Sequence, residues 1–112
     1  MNSVDIKSVD LPRIRDAADD YARRLLAEHP EVEEVIIFGS FVHGNYAPGS
    51  DLDVFIVLSE AHEPVRERIP RFLPDKFPVP LDVFPFTRDE MRARLGSPLL
   101  SAVEKSNWRH VR

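Results

Sequence analysis

The feature that most constrains this chain is a pair of aspartates, Asp51 and Asp53, at the start of the apolar run 52–58. That run predicts a strand with both faces buried, which places it at the centre of a sheet. Because side chains alternate across a strand, both carboxylates point to the same face. Two neighbouring carboxylates repel each other and resist desolvation, so the pair requires a compensating cation. Oxygen ligands of this kind suit Mg²⁺ or Mn²⁺.

A third aspartate, Asp82, is a lone charge in the apolar stretch 81–84. Residues 79–86 predict a third strand, and Pro80 and Pro85 place it at a sheet edge. If this strand adjoins the second one, Asp82 completes a three-carboxylate site. Such a site can hold two metal ions roughly 3.5–4 Å apart, the arrangement used for displacement at phosphorus. The alternatives are that Asp51 caps a loop end and that Asp82 faces water on an edge strand.

A Gly-Ser pair follows the first predicted strand, 32–38. Gly39 lets the backbone come close to a ligand, and the helix start after it presents N–H groups to phosphate. The Ser40 hydroxyl can add a hydrogen bond to a phosphate oxygen. A Gly-Ser pair is common by itself. Its place at a strand end, eleven residues before an Asp-x-Asp, is far more specific.

The rest of the chain predicts one domain over residues 1–112, of the α/β (α+β) class, with helices around a small sheet. The predicted element order is α, β, short α, β, α, β, α, α. The first helix is predicted to begin at Asp10, with a proline in its first turn, and to end near His29. A second helical segment covers 61–72, where Pro70 and Pro74 should break or shorten it. A capping box at 87–90 opens a helix to about Leu95, and a last helix begins at Pro98.

Composition excludes several classes of protein. The chain has no cysteine, which rules out disulfides, thiol nucleophiles and cysteine-ligated zinc. No apolar run approaches 18 residues, and the N-terminus lacks the pattern of a secretion signal, so we expect a cytoplasmic protein that spans no membrane. The net charge of −4 argues against general attraction to nucleic acid, and no direct DNA binding is expected.

The run from Phe38 to Val54, with Gly39-Ser40, Gly44 and Ser50-Asp51-Leu52-Asp53, resembles the signature of the polymerase-β-like nucleotidyltransferase superfamily. It is most similar to the small, single-domain minimal nucleotidyltransferases. The third aspartate of that family follows on a later strand, in a setting like that of Asp82. The resemblance implies a mixed β-sheet flanked by helices, as in the polymerase-β palm, and transfer of a nucleoside monophosphate from an NTP.

The resemblance also implies a role for each matching residue. Gly39, Ser40 and Ser50 would bind the nucleotide. Asp51 and Asp53 would hold two Mg²⁺ ions, with Mn²⁺ as a substitute. Asp82 would be the third metal ligand and would assist deprotonation of the attacking hydroxyl. Small stand-alone members resemble antitoxins encoded beside a HEPN-domain partner, and some of them transfer AMP from ATP to that partner.

Two positions depart from the family pattern. Many active relatives carry arginines where this chain has Phe41 and His43, and residues 31–63 hold no Lys or Arg. The triphosphate charge would then have to be met by metal ions, by backbone N–H groups and by basic residues from elsewhere in the chain or from a partner protein. The candidates within the chain are Arg66, Arg88 and Arg92. The basic run of Arg66, Arg68 and Arg71 is otherwise expected to be a solvated helix face.

Two functions remain open at this point. The first is an enzyme whose acceptor hydroxyl is brought by a partner protein. The second is a binding module, an antitoxin that neutralises its partner by occlusion and binds nucleotide at most. Either would need a docking surface, which we expect near the C-terminal helix, where a homo-oligomer could also form. Its expected residues are Leu99, Leu100, Val103 and Trp108, and the alternative for this group is that it belongs to the core.

Overall fold

The computed structural model describes residues 10–112. The helices are α1 (Leu11–Glu28), α2 (Ser40–His43), α3 (Val65–Phe72), α4 (Arg88–Ala93) and α5 (Pro98–Glu104). The strands are β1 (Val32–Phe38), β2 (Leu52–Leu58), β3 (Leu81–Thr87) and β4 (Trp108–Val111). They form one sheet in the order β3-β2-β1-β4. The predicted fold class, a small mixed sheet flanked by helices, is therefore confirmed.

The sheet combines both strand directions. β1 pairs antiparallel with β2 and with β4, whereas β2 pairs parallel with β3. The predicted central place of β2 is confirmed, and so is the edge place of β3. Because β2 is apolar on both faces, it supports two separate cores. One core lies under α1 and includes Val54 and Ile56, and the other lies under α5 and includes Phe55 and Val57.

Helix α1 forms as the sequence predicts. The Asp10 side chain accepts a hydrogen bond from the Arg13 N–H at 3.1 Å, and Pro12 lies in the first turn. The helix ends at Glu28, because His29 precedes a proline and adopts an extended conformation. The stripe that packs on the sheet is Ile14, Ala18, Tyr21, Ala22 and Leu25.

The segment between β2 and β3 corrects one prediction. Helix α3 keeps Pro70 inside, so this proline does not break it, and the helix ends at Phe72 because Leu73 precedes Pro74 and is extended. Arg68 does not belong to a solvated face. Its side chain is buried, and its guanidinium donates to the Glu63 and Pro85 carbonyls and, in bidentate fashion, to Glu90.

The predicted capping box is present in α4. The Thr87 hydroxyl accepts from the Glu90 N–H at 3.1 Å, and the Glu90 carboxylate accepts from the Thr87 N–H at 2.8 Å. The same carboxylate therefore caps a helix and pairs with Arg68. This arrangement fixes the start of α4 against α3.

The C-terminus differs from the prediction. Residues 108–111 form a strand, β4, which the sequence reading missed. Leu100 and Val103 are fully buried in the core under α5, and Trp108 is 8% exposed. These three side chains stabilise the chain's own fold, so the expected docking surface is wrong for them. No helix within residues 10–112 is both long enough and apolar enough to cross a membrane.

Candidate active site

Two of the predicted site residues meet on neighbouring strands. Asp53 of β2 and Asp82 of β3 are register partners, and Phe38 at the end of β1 is the partner of Asp53 on its other side. Directly opposed residues in a sheet share a face. Since Val54 and Val83 pack under α1, Asp53 and Asp82 lie on the opposite face of the sheet, the one that carries α5. We call this the carboxylate face.

Asp51 lies in the turn just before β2 and is exposed. The turn is closed by Ser50, whose hydroxyl accepts from the Ala47 N–H at 2.9 Å and whose N–H donates to the Ala47 carbonyl at 2.9 Å. Ser50 therefore shapes the loop that delivers Asp51. Its predicted contact with a nucleotide stays a prediction.

The electrostatics of Asp53 set it apart. Desolvation by burial, followed by the charges of Asp82 and Asp51, raises its pKa to about 6. Within residues 10–112 its carboxylate accepts no hydrogen bond that would offset this cost. A half-buried carboxylate next to two others is therefore held without compensation by the chain.

Gly39 lies directly against this carboxylate. Its φ is +87°, and a Cβ built there would come within 2.1 Å of the Asp53 Oδ2. The position therefore demands glycine twice, for backbone conformation and for space. The Gly39 carbonyl accepts from the N–H groups of Val42 and His43, and α2 begins at the next residue, Ser40.

An aromatic pair bounds the site, and the sequence reading did not single it out. The rings of Phe38 and Phe84 lie with centroids 5.6 Å apart. They belong to β1 and β3, so they meet across β2 on the carboxylate face. Phe38 is a core residue and the register partner of Asp53, so the pair forms the edge of the core next to Asp53. The available signal was parity, because Phe84 follows Asp82 by two residues on the same face.

The three carboxylates fit a divalent cation as a set of donors. They are hard oxygen ligands, and burial together with the charges of Asp82 and Asp51 raises the pKa of Asp53, a cost that a bound cation would offset. In the described part of the chain, no three His, Asp or Glu side chains are placed so that together they could hold a metal ion. Asp51 and Asp82 are both exposed, and exposed side chains change rotamer readily.

The expected basic residues lie elsewhere. Arg88 pairs with Glu33 at 2.7 Å, and Arg92 pairs with Asp89 at 3.3 Å. Arg66 and both of these follow the other ends of β2 and β3, where Leu58 pairs with Thr87. That level is five residues from the Asp53–Asp82 pair, or roughly 17 Å along the strands. The expectation that these arginines meet a triphosphate at the carboxylates is therefore wrong.

Comparison with known proteins identifies the class of domain. A family model described as a nucleotidyltransferase domain matches residues 19–106, which is most of the chain. No curated protein matches the sequence. Among solved structures, a protein from Sulfolobus solfataricus, provisionally assigned as a nucleotidyltransferase, matches with a TM-score of 0.58. The two are 21% identical, and the match covers 90% of this chain and 80% of that one.

Proposed function

The chain belongs to the nucleotidyltransferase domain family, and on that premise we propose that it transfers a nucleoside monophosphate from an NTP to a hydroxyl group of a partner protein. AMP from ATP is the expected case. The observation that carries the proposal is the placement of Asp53 and Asp82 as register partners, with Asp51 two residues away and Gly39 against Asp53.

The carboxylates of Asp51, Asp53 and Asp82 would hold Mg²⁺ or Mn²⁺, which when bound offsets phosphate charge and polarises the phosphorus centre. Gly39 and Ser40 would bind the triphosphate beside them. Asp82 is exposed and accepts the proton of the attacking hydroxyl. The hydroxyl oxygen bonds to the α-phosphorus, the bond from that phosphorus to pyrophosphate breaks, and pyrophosphate leaves.

For the acceptor we propose a HEPN-domain protein. The support is the likeness of the sequence to small stand-alone nucleotidyltransferases that act beside such partners. The acceptor hydroxyl would enter from the open side of the carboxylate face, near Asp82, because Gly39 closes the site on the side of β1. The expected product is a partner protein with AMP on a hydroxyl side chain.

A second candidate function is supported by one observation. The arginines that many relatives carry are replaced by Phe41 and His43, and the other expected arginines lie at the far end of the sheet. A chain with a weak grip on triphosphate could act by occluding its partner without transferring a nucleotide.

One experiment separates the two functions. The protein is incubated with Mg²⁺ and ATP labelled on the α-phosphate, alone and with the product of the neighbouring gene. Transfer of label to that product, absent in the Asp53→Asn variant, supports the enzyme. Tight binding of the two proteins without label transfer supports occlusion. Rapid transfer to a small hydroxyl compound without any partner contradicts a protein acceptor.

A further inference from the structure

The carboxylate face lacks an evident cation, although any NTP brings several negative charges to it. Most basic side chains in residues 10–112 are committed elsewhere. Arg68 is buried against Glu90, and the Arg109 guanidinium donates to Glu34 and to the carbonyls of Val103 and Ser106. Arg15 lies over the Trp108 ring on the α1 side of the sheet.

The C-terminal end of α5 lies on the carboxylate face, at the end of the sheet where Asp53 and Asp82 are located. Leu100 and Val103 of α5 pack in the same core as Phe38 and Phe55. Immediately after the helix, the Ser106 hydroxyl donates to the Ile37 carbonyl and accepts from the Trp108 N–H at 3.1 Å. The chain is therefore anchored to the 37–38 peptide, one strand away from Asp53.

Lys105 is the residue at this anchor. It caps α5, is exposed, and directly precedes Ser106. Asp53 is the register partner of Phe38, and extending the β1–β4 pairing by one residue beyond Ile37–Trp108 places Asn107 beside Phe38, roughly 10 Å from Asp53 between Cα atoms. Lys105 precedes Asn107 by two residues, and its long, flexible side chain can extend into that gap. The Cα of Lys105 is held in place, while its ammonium group remains free to meet a ligand.

The other lysine in the described residues does not share this place. Lys76 lies beside Phe77, which packs against the α1 core and makes an edge contact with Tyr21. It is therefore on the opposite face of the sheet from Asp53. Lys76 is exposed like Lys105, so it is a matched control for the loss of one positive charge.

We propose that Lys105 is a nucleotide-binding residue whose ammonium group contacts the β- and γ-phosphates of an NTP held at Asp51, Asp53 and Asp82. This assignment rests on the proposed function, and it supplies the positive charge that Phe41 and His43 do not. The triphosphate then lies between the negatively charged carboxylates on one side and the positively charged Lys105 ammonium group on the other. The contact is to the pyrophosphate portion, which AMP lacks.

Calorimetric titration with MgATP and with AMP tests the assignment in the wild type and in Lys105→Ala, Lys105→Arg, Lys76→Ala and Asp53→Asn. Loss of a charge-assisted contact in Lys105→Ala should weaken MgATP binding about tenfold or more and leave AMP binding unchanged. Lys105→Arg should restore most of the affinity. The Lys76→Ala variant should bind MgATP like the wild type. Thermal unfolding confirms that each variant is folded.

Two results would overturn the assignment while the proposed function stands. One is wild-type MgATP affinity in Lys105→Ala together with loss of Mg²⁺-dependent binding in Asp53→Asn. The other is an equal loss in Lys76→Ala and Lys105→Ala, which would indicate a general charge effect. If the wild type itself shows no Mg²⁺-dependent ATP binding, the proposed function fails and the assignment fails with it.

Discussion

Two half-buried carboxylates, Glu90 and Asp53, show how differently this chain treats the same chemical group. Glu90 accepts from both arms of Arg68, at 2.7 and 2.9 Å, and from the Thr87 N–H. The Arg68 hydrogen bonds are the main reason that its pKa is lowered to about 2. Asp53 accepts nothing within residues 10–112, and burial raises its pKa to about 6.

The difference separates a structural charge from a functional one. Where the chain itself satisfies a carboxylate, the charge holds elements together, here α3 to the start of α4. Where the chain desolvates a carboxylate and surrounds it with like charge, the fold loses stability, and a bound cation would recover it. The two residues should therefore respond in opposite ways when each carboxylate is replaced by its amide.

The largest expected effect is that of Asp53→Asn on nucleotidyl transfer. Asparagine keeps the shape of the side chain but cannot hold a cation by charge. We expect a loss of roughly a thousandfold or more, the scale of removing a charge contact at a transferring phosphoryl group. Labelled-ATP transfer measures this loss. Stability should rise in the same variant, and a destabilised Asp53→Asn protein would contradict the comparison.

The matching change at the structural charge is Glu90→Gln. It leaves the Arg68 guanidinium buried without its counter-charge, since the Arg68 side chain is 4% exposed. Removal of one partner from such a pair should lower the free energy of unfolding by about 2–3 kcal/mol here, because the Glu90 side chain is itself partly exposed. Chemical denaturation measures the free energy of unfolding. MgATP affinity of the folded variant should equal that of the wild type, and a drop in that affinity would mean that Glu90 also serves the site.

Gly39→Ala should lower both the stability of the fold and its affinity for MgATP. The Gly39 backbone has φ +87° and ψ −154°, a conformation essentially restricted to glycine, so a side chain there costs about 1–3 kcal/mol, and the new methyl group displaces the Asp53 carboxylate. Gly96→Ala is the control for a positive φ, because Gly96 has φ +89° and open space around its Cβ position. Both variants should lose stability, Gly39→Ala the more, but Gly39→Ala alone should bind MgATP about tenfold or more weakly. Equal MgATP binding in the two would show that Asp53 accommodates the methyl group.

The sequence signals for the site are local. Alternation along a strand predicted that Asp51 and Asp53 share a face, and a lone charge in an apolar strand singled out Asp82. The structure makes Asp53 and Asp82 register partners, whereas Asp51 lies in the turn before β2, where alternation does not fix its direction. The residues that lie against the Asp53 carboxylate were harder to predict. Gly39 was expected to approach a ligand, and it is the Asp53 carboxylate that its backbone approaches.

Features that depend on distant contacts escaped the sequence reading. The burial of Arg68 depends on Glu90, which is 22 residues away. Strand β4 is four residues long and carries Arg109 and His110, so it has no clear strand pattern. The placement of Lys105 requires knowledge of which face α5 covers. The far position of Arg88 likewise follows from the parallel β2–β3 pairing and not from composition.

The smallest expected effect is a pair of opposite pH dependences of stability. The pKa of Glu90 is lowered to about 2 in the fold, so its contribution is full above its unfolded pKa of about 4.3 and is lost as pH falls towards 2. The pKa of Asp53 is raised to about 6, so its ionisation destabilises the fold as pH rises from about 4 to 6.

Unfolding free energies of the wild type, Asp53→Asn and Glu90→Gln between pH 2 and pH 8 separate the two, because differences between variants cancel all other titrating groups. The stability gained in Asp53→Asn over the wild type should grow by about 1 kcal/mol between pH 4 and pH 7, after allowance for partial solvent screening. The stability lost in Glu90→Gln should instead shrink below pH 4, as Glu90 of the wild type becomes protonated. If the Asp53 difference is flat across pH 4–7, the carboxylate is already compensated, and the contrast between a structural and a functional charge does not hold.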